Sequence, residues 1–476
     1  MNDNYNSIVS SFYVYSFGCR ATQADSAVLD RQLLDRGMER AQSIDDATLV
    51  VLNTCTVTAE ADKDARAKIR RIHRENPGCK ILVTGCYAQR APEELAQMPG
   101  VAWVVGNSHK HRLAEIATKG GLGANEANFV PLGALASATG ERVFVDDIFA
   151  HTELMAAPVF DGAGYEKTRP NLKVQDGCDN RCSFCVIPFV RGQSRSLKRA
   201  DVLREMNALV AAGYREVVIS GINLGRWGRD FSSEQRFEDL VAAILNETGV
   251  ERLRLSSVEP MDWSDQLIEM CGNSPRIAKH SHIPLQSGSD RILRLMHRKY
   301  RPWHYEERVR KIRAAMPDAA IGADVMVGFP GETDADFEEN RAFIASLPFT
   351  YLHVFTYSPR AGTPAASMPN QVPPEVKRER NRILRELAAE KKQRFQQGFI
   401  GQTLSTITLA LRENGRTETL TSNYQKLWLR GEHEANRIVN ACVESAADGE
   451  MFGSMNRADM KVHGTSAAQA AEIPVL

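Results

Sequence analysis

The chain has 476 residues, enough for two or three domains that each bury a core of their own. Lys plus Arg and Asp plus Glu are equal at 59 each, so the overall charge does not indicate a nucleic-acid-binding protein and RNA contacts would have to come from local patches. No apolar run reaches the roughly 18 residues that a membrane helix needs, and the start MNDNYNSIVSSF has no basic segment before an apolar one. We therefore expect a cytoplasmic protein with no membrane partner.

Three apolar, strand-like runs near the N-terminus each end at a cysteine: FYVYSFGC at Cys19, ATLVVLNTC at Cys55 and KILVTGC at Cys86. Helix-like stretches over roughly 23–37 and 58–75 separate them, and this alternation predicts a doubly wound parallel α/β domain. Ligand sites in such sheets form beyond the carboxyl ends of the strands, so the three thiols are expected to converge at one edge. The alternative is three ordinary buried cysteines.

Three further cysteines, Cys178, Cys182 and Cys185, have the spacing C-x₃-C-x₂-C in KVQDGCDNRCSFCVIPF. Thiolates select zinc or iron–sulfur clusters, and a closed zinc site needs four ligands. Because no second pair of cysteines follows nearby, the spacing favours a four-iron cluster that keeps one iron open for a small molecule. Phe184 adds an aromatic ring where such a molecule could stack. A zinc loop completed by a distant residue is the alternative.

This segment resembles the signature of radical S-adenosylmethionine enzymes. The resemblance implies that the open iron chelates S-adenosylmethionine and that an electron from the cluster splits it into a 5′-deoxyadenosyl radical. The three cysteines would then be catalytic as well as metal ligands.

From Asn171 onward, six strand-then-helix units predict a partial (β/α)₆ barrel, whose active site lies at the carboxyl ends of its strands. The resemblance implies S-adenosylmethionine contacts at these ends. Gly221 and Asn223 would receive the methionine amine, Glu259 and Gln286 would face the ribose or the carboxylate, and Gly328 would lie under the adenine.

Arg191 and Arg195, in VRGQSRS, are predicted to bind an anionic group of the substrate, because arginine is seldom buried without a partner. A solvated loop is the alternative.

After a basic helix predicted over 377–394, residues 397–462 contain short β-like runs that suggest a small β-barrel. Tyr424 and Lys426 lie where aromatic and basic residues interleave, as they do in proteins that stack single-stranded RNA bases and hold phosphates. An ordinary half-buried strand would show the same alternation.

The strings YSFGCRATQADS, NTCTVTAEADKDARAKIRR, TGCYAQR and LTSNYQKL resemble methylthiotransferases. The resemblance implies that Cys19, Cys55 and Cys86 hold a second four-iron cluster and that the chain ends in a TRAM domain. Thr22 departs from the asparagine usual in that family. The predicted division is an N-terminal domain over 10–120, a connector over 121–168, a radical domain over 169–395, a TRAM domain over 396–465 and a tail over 466–476.

The implied reaction replaces an unactivated aromatic C–H with S–CH₃, with two 4Fe-4S clusters and S-adenosylmethionine as cofactors. The strings GCRATQADS, NTCTVTAEAD, VQDGCDN and RGQSRS look most like the branch that modifies threonylcarbamoyl-adenosine at position 37 of tRNA. The implied partners are the tRNA anticodon stem-loop and a reductant such as flavodoxin or ferredoxin. Other branches act on isopentenyl-adenosine in tRNA or on a ribosomal-protein aspartate. An iron–sulfur sensor that binds RNA is an alternative of another class.

Overall fold

The computed structural model of the chain describes residues 11–18, 20–118, 142–150, 154 and 168–456. Most of the predicted connector, the predicted tail and Cys19 lie outside these residues. No helix in the described ranges is both long and apolar enough to cross a membrane.

The N-terminal domain is built on one parallel sheet with the strand order β2-β1-β3-β4-β5-β6. Its elements are β1 Ser11–Ser16, α1 Arg20–Leu34, β2 Glu39–Arg40, β3 Leu49–Thr54, α2 Ala59–Glu75, β4 Lys80–Gly85, α3 Cys86–Arg90, α4 Pro92–Ala96, β5 Val101–Val105, α5 Leu113–Ala117 and β6 Val143–Phe144.

Helices cover both faces of this sheet, as predicted. Ile69 and Ile72 of α2 pack on one face, and Leu29 and Leu33 of α1 pack on the other. The strand order reverses between β1 and β3, and a crevice for ligands forms at such a switch point. α1 starts at Arg20, three residues before the start of the predicted helical stretch.

The central domain contains six parallel strands that form a partial barrel, β7, β10, β11, β12, β13 and β14. A bridge between Leu253 and Ile277 joins its two three-stranded halves. Its elements are β7 Asn171–Lys173, β8 Gln175–Asp176, α6 Ile187–Arg191, β9 Arg195–Ser196, α7 Arg199–Ala211, β10 Glu216–Ser220, α8 Phe237–Glu247, β11 Arg252–Leu255, α9 Asp265–Asn273, β12 His280–His282, α10 Asp290–Leu295, α11 Pro302–Ala315, β13 Ala320–Val327, α12 Asp334–Ser346, β14 Tyr351–Thr356 and α13 Pro374–Gln397.

The fourth barrel strand lies earlier than the sequence predicted. Gln286 is predicted at the carboxyl end of a barrel strand, but β12 ends at His282. Gln286 has a φ of 65° and pairs with Val325 only as an isolated bridge, so the run after His282 is mostly loop.

The C-terminal domain is a closed five-stranded barrel with the order β15-β16-β17-β19-β18, which confirms the predicted small β-barrel. Its strands are β15 Thr403–Glu413, β16 Arg416–Thr421, β17 Lys426–Arg430, β18 Ile438–Ala447 and β19 Glu450–Met455. Its Ser422 carbonyl accepts from Arg254, and its Asn423 amide donates to the Asp318 carbonyl. The small barrel therefore closes the amino end of the central barrel.

Candidate active site

Cys178, Cys182 and Cys185, called the first cysteine triplet from here on, lie on the loop that follows β7, at the carboxyl end of the central barrel. The short antiparallel pair β8 and β9 closes the base of this loop. The Cys178 amide donates to the Gly192 carbonyl at 3.1 Å, and the Cys185 amide donates to the Cys182 carbonyl at 3.1 Å. The loop therefore projects all three cysteines from a fixed base.

Polar side chains from neighbouring loops donate to the sulfur atoms of this triplet. The Asn223 amide lies 3.7 Å from Cys178 Sγ, and the Arg298 guanidinium lies 3.2 Å from Cys182 Sγ. Arg298 also pairs with Glu259. Such outer contacts orient metal-ligating side chains and tune the metal.

The electrostatics of the triplet fit an iron–sulfur cluster. Burial raises the pKa of the Cys178 thiol to about 11 and that of Cys185 to about 12. Thiolates at these positions therefore need nearby positive charge, which bound iron supplies. Within the described ranges, no three Cys, His, Asp or Glu side chains converge on a single metal ion. A cluster has no such need, because each cysteine binds its own iron atom.

The second cysteine set lies at the carboxyl edge of the N-terminal sheet. Thr54 pairs with Gly85 across β3 and β4, so Cys55 and Cys86 follow directly paired residues. Gly18 has a φ of +92°, and a Cβ added to it would lie 2.5 Å from Cys55 Cβ. The backbone at Gly18, just after β1, therefore lies so close to the Cys55 side chain that only glycine fits at this position. Cys19 itself lies outside the described residues.

Thr22, the departure from the methylthiotransferase pattern, is fully buried in the first turn of α1. Its hydroxyl donates to the Phe17 carbonyl at 2.7 Å, and its own carbonyl accepts from the Asn53 amide at 2.8 Å. Thr22 therefore ties the segment before Cys19 to the end of β3.

The segment that follows the Cys178–Cys185 triplet packs against Cys86, at the boundary between the N-terminal and central domains. Arg191, six residues after Cys185, places its Nε 3.3 Å from Cys86 Sγ. Asn107, after β5, donates to the Val190 carbonyl at 2.7 Å and lies 3.7 Å from the same sulfur. Val186 and Val190 pack directly on Cys86. The segment after Cys185 is therefore the contact surface between the sites.

Arg191 belongs to a buried charge network. Its guanidinium is 2% exposed and pairs with Asp176 at 2.9 Å and with Asp25 at 3.1 Å. Lys110 and Lys173 also contact Asp25. Burial alone would raise the pKa of the Asp25 carboxyl, but the three cations hold that pKa well below its usual range. The guanidinium that is predicted to bind a substrate anion is therefore held by two carboxylates of the chain.

Arg195 is also buried, at 7% exposure, on β9. It lines a cavity of about 50 Å³ together with Arg191, Asp176 and Lys110. The residues around this cavity come from the N-terminal and the central domain, so Arg195 lies at the boundary between the two.

Four of the predicted S-adenosylmethionine contacts lie around the barrel mouth. Asn223 and Glu259 reach the cysteine loop directly or through Arg298. Phe184 packs edge-on against Phe329 with ring centroids 6.4 Å apart. Gln286 follows β12, where its backbone amide donates to the Asp324 backbone carbonyl at 2.8 Å. The barrel therefore brings these side chains to one end.

Gly221 and Gly328 are packed by the chain's own side chains. A Cβ on Gly221 would lie 2.8 Å from Gln175 Oε1, and one on Gly328 would lie 2.3 Å from Lys377 Cγ. The space beside each glycine is filled from within the fold. The structure therefore shows no open space at the Cα of Gly328, where the adenine is predicted to lie.

Tyr424 and Lys426 both contact other residues of the chain. Tyr424 stacks on His280 with centroids 4.3 Å apart, at the amino end of the central barrel and away from the cysteine loops. The Lys426 ammonium pairs with Glu450 at 2.9 Å and with Glu418 at 3.6 Å. Packing between domains and cross-strand ion pairs therefore account for the alternation in this segment.

Sequence reasoning missed three residues: Arg298 and Asn107, which contact cysteine sulfurs, and Asp25, which contacts Arg191. These contacts join residues 116, 21 and 166 positions apart, and no local pattern reveals them.

Residues 172–344 match the Radical SAM superfamily, and residues 11–106 match the family described as Uncharacterized protein family UPF0004. Among solved structures, the chain resembles the radical S-adenosylmethionine methyltransferase TsrM from Kitasatospora setae. The TM-score is 0.55 at 16% identity, covering 75% of this chain and 77% of that one. At this identity the likeness supports the fold alone. Together with the superfamily match, the fold and the cysteine loop define a radical S-adenosylmethionine enzyme, which uses a 4Fe-4S cluster and S-adenosylmethionine.

Curated relatives extend the similarity over almost the whole chain. The threonylcarbamoyladenosine tRNA methylthiotransferase of Aquifex aeolicus is 36% identical over 90% of this chain and 98% of its own length. The Bacillus subtilis enzyme of the same name is 35% identical over 91% and 93%. The tRNA-2-methylthio-N(6)-dimethylallyladenosine synthase of Carboxydothermus hydrogenoformans is 34% identical over 79% and 83%. The chain belongs to the radical S-adenosylmethionine methylthiotransferase family, and it is a transferase.

Proposed function

We propose that this enzyme attaches a methylthio group to C2 of N6-threonylcarbamoyladenosine at position 37 of tRNA, next to the anticodon. Two relatives that are aligned over nearly their whole length have this tRNA modification in their names. The strings around Cys19, Cys55 and Cys178 favour the same branch.

The contact between Arg191 and Cys86 is the observation that carries the proposal. Radical cleavage of S-adenosylmethionine alone needs one cysteine triplet. Insertion of sulfur at a carbon needs the radical and a sulfur source at the same substrate atom, because the reacting groups must be held within contact distance. The contact of the segment after Cys185 with Cys86 supports such an arrangement of the two cysteine sites.

When bound, two four-iron clusters and S-adenosylmethionine would supply the 5′-deoxyadenosyl radical and the sulfur of the S–CH₃ group. Cys178, Cys182 and Cys185 would hold the cluster that receives S-adenosylmethionine, and Cys19, Cys55 and Cys86 would hold the second cluster. Arg298 and Asn223 orient the first set by donating to Cys182 and Cys178.

Three further side chains are proposed for S-adenosylmethionine: Phe184 as an apolar wall, and Glu259 and Gln286 as polar contacts at the barrel mouth. Electrons would come from a reductant such as flavodoxin or ferredoxin, in the cytoplasm where tRNA is modified. The substrate's carboxylate is not assigned to Arg191, since two carboxylates of the chain already bind that guanidinium.

Dimethylallyladenosine in tRNA is the second candidate substrate. The Carboxydothermus relative that is named for it is 34% identical to this chain, close to the 36% of the Aquifex relative. Both substrates use the same two cysteine sites, so the difference must lie in how the N6 substituent is accommodated.

A direct test uses purified protein reconstituted with iron and sulfide under anaerobic conditions. Anticodon stem-loops with threonylcarbamoyladenosine, isopentenyladenosine or unmodified adenosine at position 37 are offered with S-adenosylmethionine and a reductant. We expect a methylthio product only from the first. Cys55→Ala should still form 5′-deoxyadenosine but no methylthio nucleoside. Product from isopentenyladenosine alone would refute the proposed substrate.

A further inference from the structure

The loop after β14, residues 358–365, touches both cysteine loops, and we name it the bridging loop. On one side the Ala365 amide donates to the carbonyl of Ser183, which lies between Cys182 and Cys185, at 2.8 Å. On the other side the Ser358 hydroxyl accepts from the Ala59 amide at 3.1 Å. One short segment of the central domain therefore contacts both cysteine sites.

Arg360 makes the strongest of these contacts. Its guanidinium is 5% exposed and donates to the Thr56 carbonyl at 2.8 and 2.9 Å and to the Thr58 carbonyl at 2.7 Å. It also donates to the Asp62 carboxylate at 2.6 Å. These partners cover the segment that directly follows Cys55. Charge-assisted hydrogen bonds in a fixed fork define orientation as well as distance.

The partner of Arg360 is itself held in place. Asp62 is 4% exposed and accepts from the Thr56 hydroxyl at 2.6 Å and from Arg90 at 2.9 Å. Thr58 caps α2 through its side chain, which accepts from the Ala61 amide. The Cys55 loop is thus rigid within its own domain, and Arg360 adds the link to the central domain.

The backbone of Arg360 is fixed as well. Its carbonyl accepts from both the amide and the hydroxyl of Thr363, at 3.1 and 2.7 Å. Two residues later, Ala365 reaches the first cysteine loop. The chain between the two sites is therefore a short, hydrogen-bonded turn rather than a slack connection.

We propose that Arg360 is a positioning residue that fixes the Cys55 loop relative to the Cys178–Cys185 loop. The inference rests on the proposed function, because only an enzyme that combines a radical with a separate sulfur source depends on the spacing of two sites. Radical formation uses residues of the central domain alone. Transfer of the methylthio group needs both sites, and a displacement of about 1 Å can slow a reaction by about 10²-fold.

Weakening this link should uncouple the two halves of the reaction. Arg360→Gln keeps a polar side chain but removes the cation that pairs with Asp62. Arg360→Lys keeps the charge and loses the fork. The matched control is Arg382→Gln on α13, where an exposed arginine pairs with Glu379 and Glu386 at 2.6 Å.

Each variant is measured for bound iron and labile sulfide, for 5′-deoxyadenosine formation and for methylthio nucleoside. For Arg360→Gln we expect iron and 5′-deoxyadenosine to stay within about twofold of the parent, while the ratio of product to 5′-deoxyadenosine falls by about tenfold or more. The ratio for Arg360→Lys should lie between the ratios for the parent and for Arg360→Gln, and the ratio for Arg382→Gln should match that of the parent. An unchanged ratio in Arg360→Gln overturns the inference. Loss of iron from both Arg360 variants also overturns it, because Arg360 would then serve cluster assembly.

Electron paramagnetic resonance of the reduced protein keeps this test separate from the proposed function. The magnetic coupling between two reduced clusters depends on their separation and needs no tRNA. If the parent makes no methylthio product on any stem-loop, the proposed function fails. The positioning role still stands if Arg360→Gln alters the coupling and Arg382→Gln does not, and it fails if neither variant alters it.

Discussion

The two ends of the central barrel both bury charged side chains, but the partners of those charges differ. At the amino end, Glu216 is fully buried among Arg169, Arg252 and Arg254. Arg254 also donates to backbone carbonyls of the C-terminal barrel, and its guanidinium lies 5.4 Å from the centre of the Tyr424 ring. Every one of these partners is a permanent part of the fold.

At the carboxyl end, part of the donor set is aimed at sulfur. Arg298, Asn223 and Arg191 each direct a donor to a cysteine that the sequence assigns to a cluster. The charged side chains at the amino end join domains, whereas the donors at the carboxyl end surround the candidate active site. Changes at the amino end should therefore alter stability, and changes at the carboxyl end should alter turnover.

The largest effect is expected from Cys182→Ala. Loss of one of three thiolates should abolish 5′-deoxyadenosine formation, because the first cluster then lacks a ligand. The measurement is chromatography of the reduced, reconstituted protein with S-adenosylmethionine. Cys442→Ala, in the C-terminal barrel, is the control and should keep full activity. Formation of 5′-deoxyadenosine by Cys182→Ala at the parent's rate would contradict the assignment.

Glu216→Gln tests the other end of the barrel. It leaves buried arginines without their carboxylate, which typically costs about 3–5 kcal/mol of unfolding free energy. We expect a matching loss in urea denaturation, while turnover per folded molecule is unchanged. A loss of turnover with stability intact would mean that the two ends are not separable in this way.

The same carboxyl predicts a pH dependence. Burial alone would raise the pKa of Glu216, but Arg254, Arg169 and Arg252 outweigh it and lower the pKa to about 2, from an ordinary value of 4.5. The stabilisation is therefore complete above pH 4.5 and is lost as the pH falls toward 2. The stability gap between the parent and Glu216→Gln should be constant from about pH 8 to 5 and shrink below 4.5. A gap that shrinks already near pH 6 would contradict the lowered pKa.

Arg298→Gln is expected to have a smaller effect on turnover. It removes the donor to Cys182 and the partner of Glu259, and loss of such outer contacts typically costs about 10–100-fold in metal affinity or activity. Iron content and 5′-deoxyadenosine formation are the measurements. Arg301→Gln is the neighbouring control, since Arg301 pairs with Asp290 and contacts no cysteine sulfur among the described residues. Equal effects of the two changes would count against a specific role for Arg298.

Tyr424→Leu should have the smallest effect. It removes the stacking on His280 and the contact with Arg254, worth about 1–2 kcal/mol together, while tRNA affinity stays unchanged. Tyr424→Phe keeps the ring and should remain close to the parent. A clear loss of tRNA affinity in Tyr424→Leu at full stability would instead support a base-stacking role for Tyr424.

Much of the architecture was predictable, because it depends on local patterns. The alternation of strands and helices and the cysteines at strand ends led to the doubly wound sheet and to the convergence of Cys55 and Cys86. The C-x₃-C-x₂-C spacing identified the first cysteine loop without any tertiary information. These signals lie within a few residues of each other, so the sequence carries them directly.

The partners of charged residues were not predictable. Arg191 was interpreted as a substrate contact because nothing near it in sequence shows that Asp25, 166 positions away, reaches its guanidinium. Tyr424 was assigned to RNA for the same reason, since His280 lies on another domain. Gly328 is predicted to lie under the adenine, and nothing near it in sequence shows that a side chain from α13 lies beside it. Each of these contacts joins distant segments.

The most direct test of the central claim is mass spectrometry of nucleosides from bulk tRNA of cells that lack this protein. The same cells are compared after they receive the intact chain or the Cys182→Ala variant. We predict that 2-methylthio-N6-threonylcarbamoyladenosine appears only with the intact chain. The appearance of methylthio-isopentenyladenosine instead, or tRNA that is identical in all three strains, would contradict the proposed function.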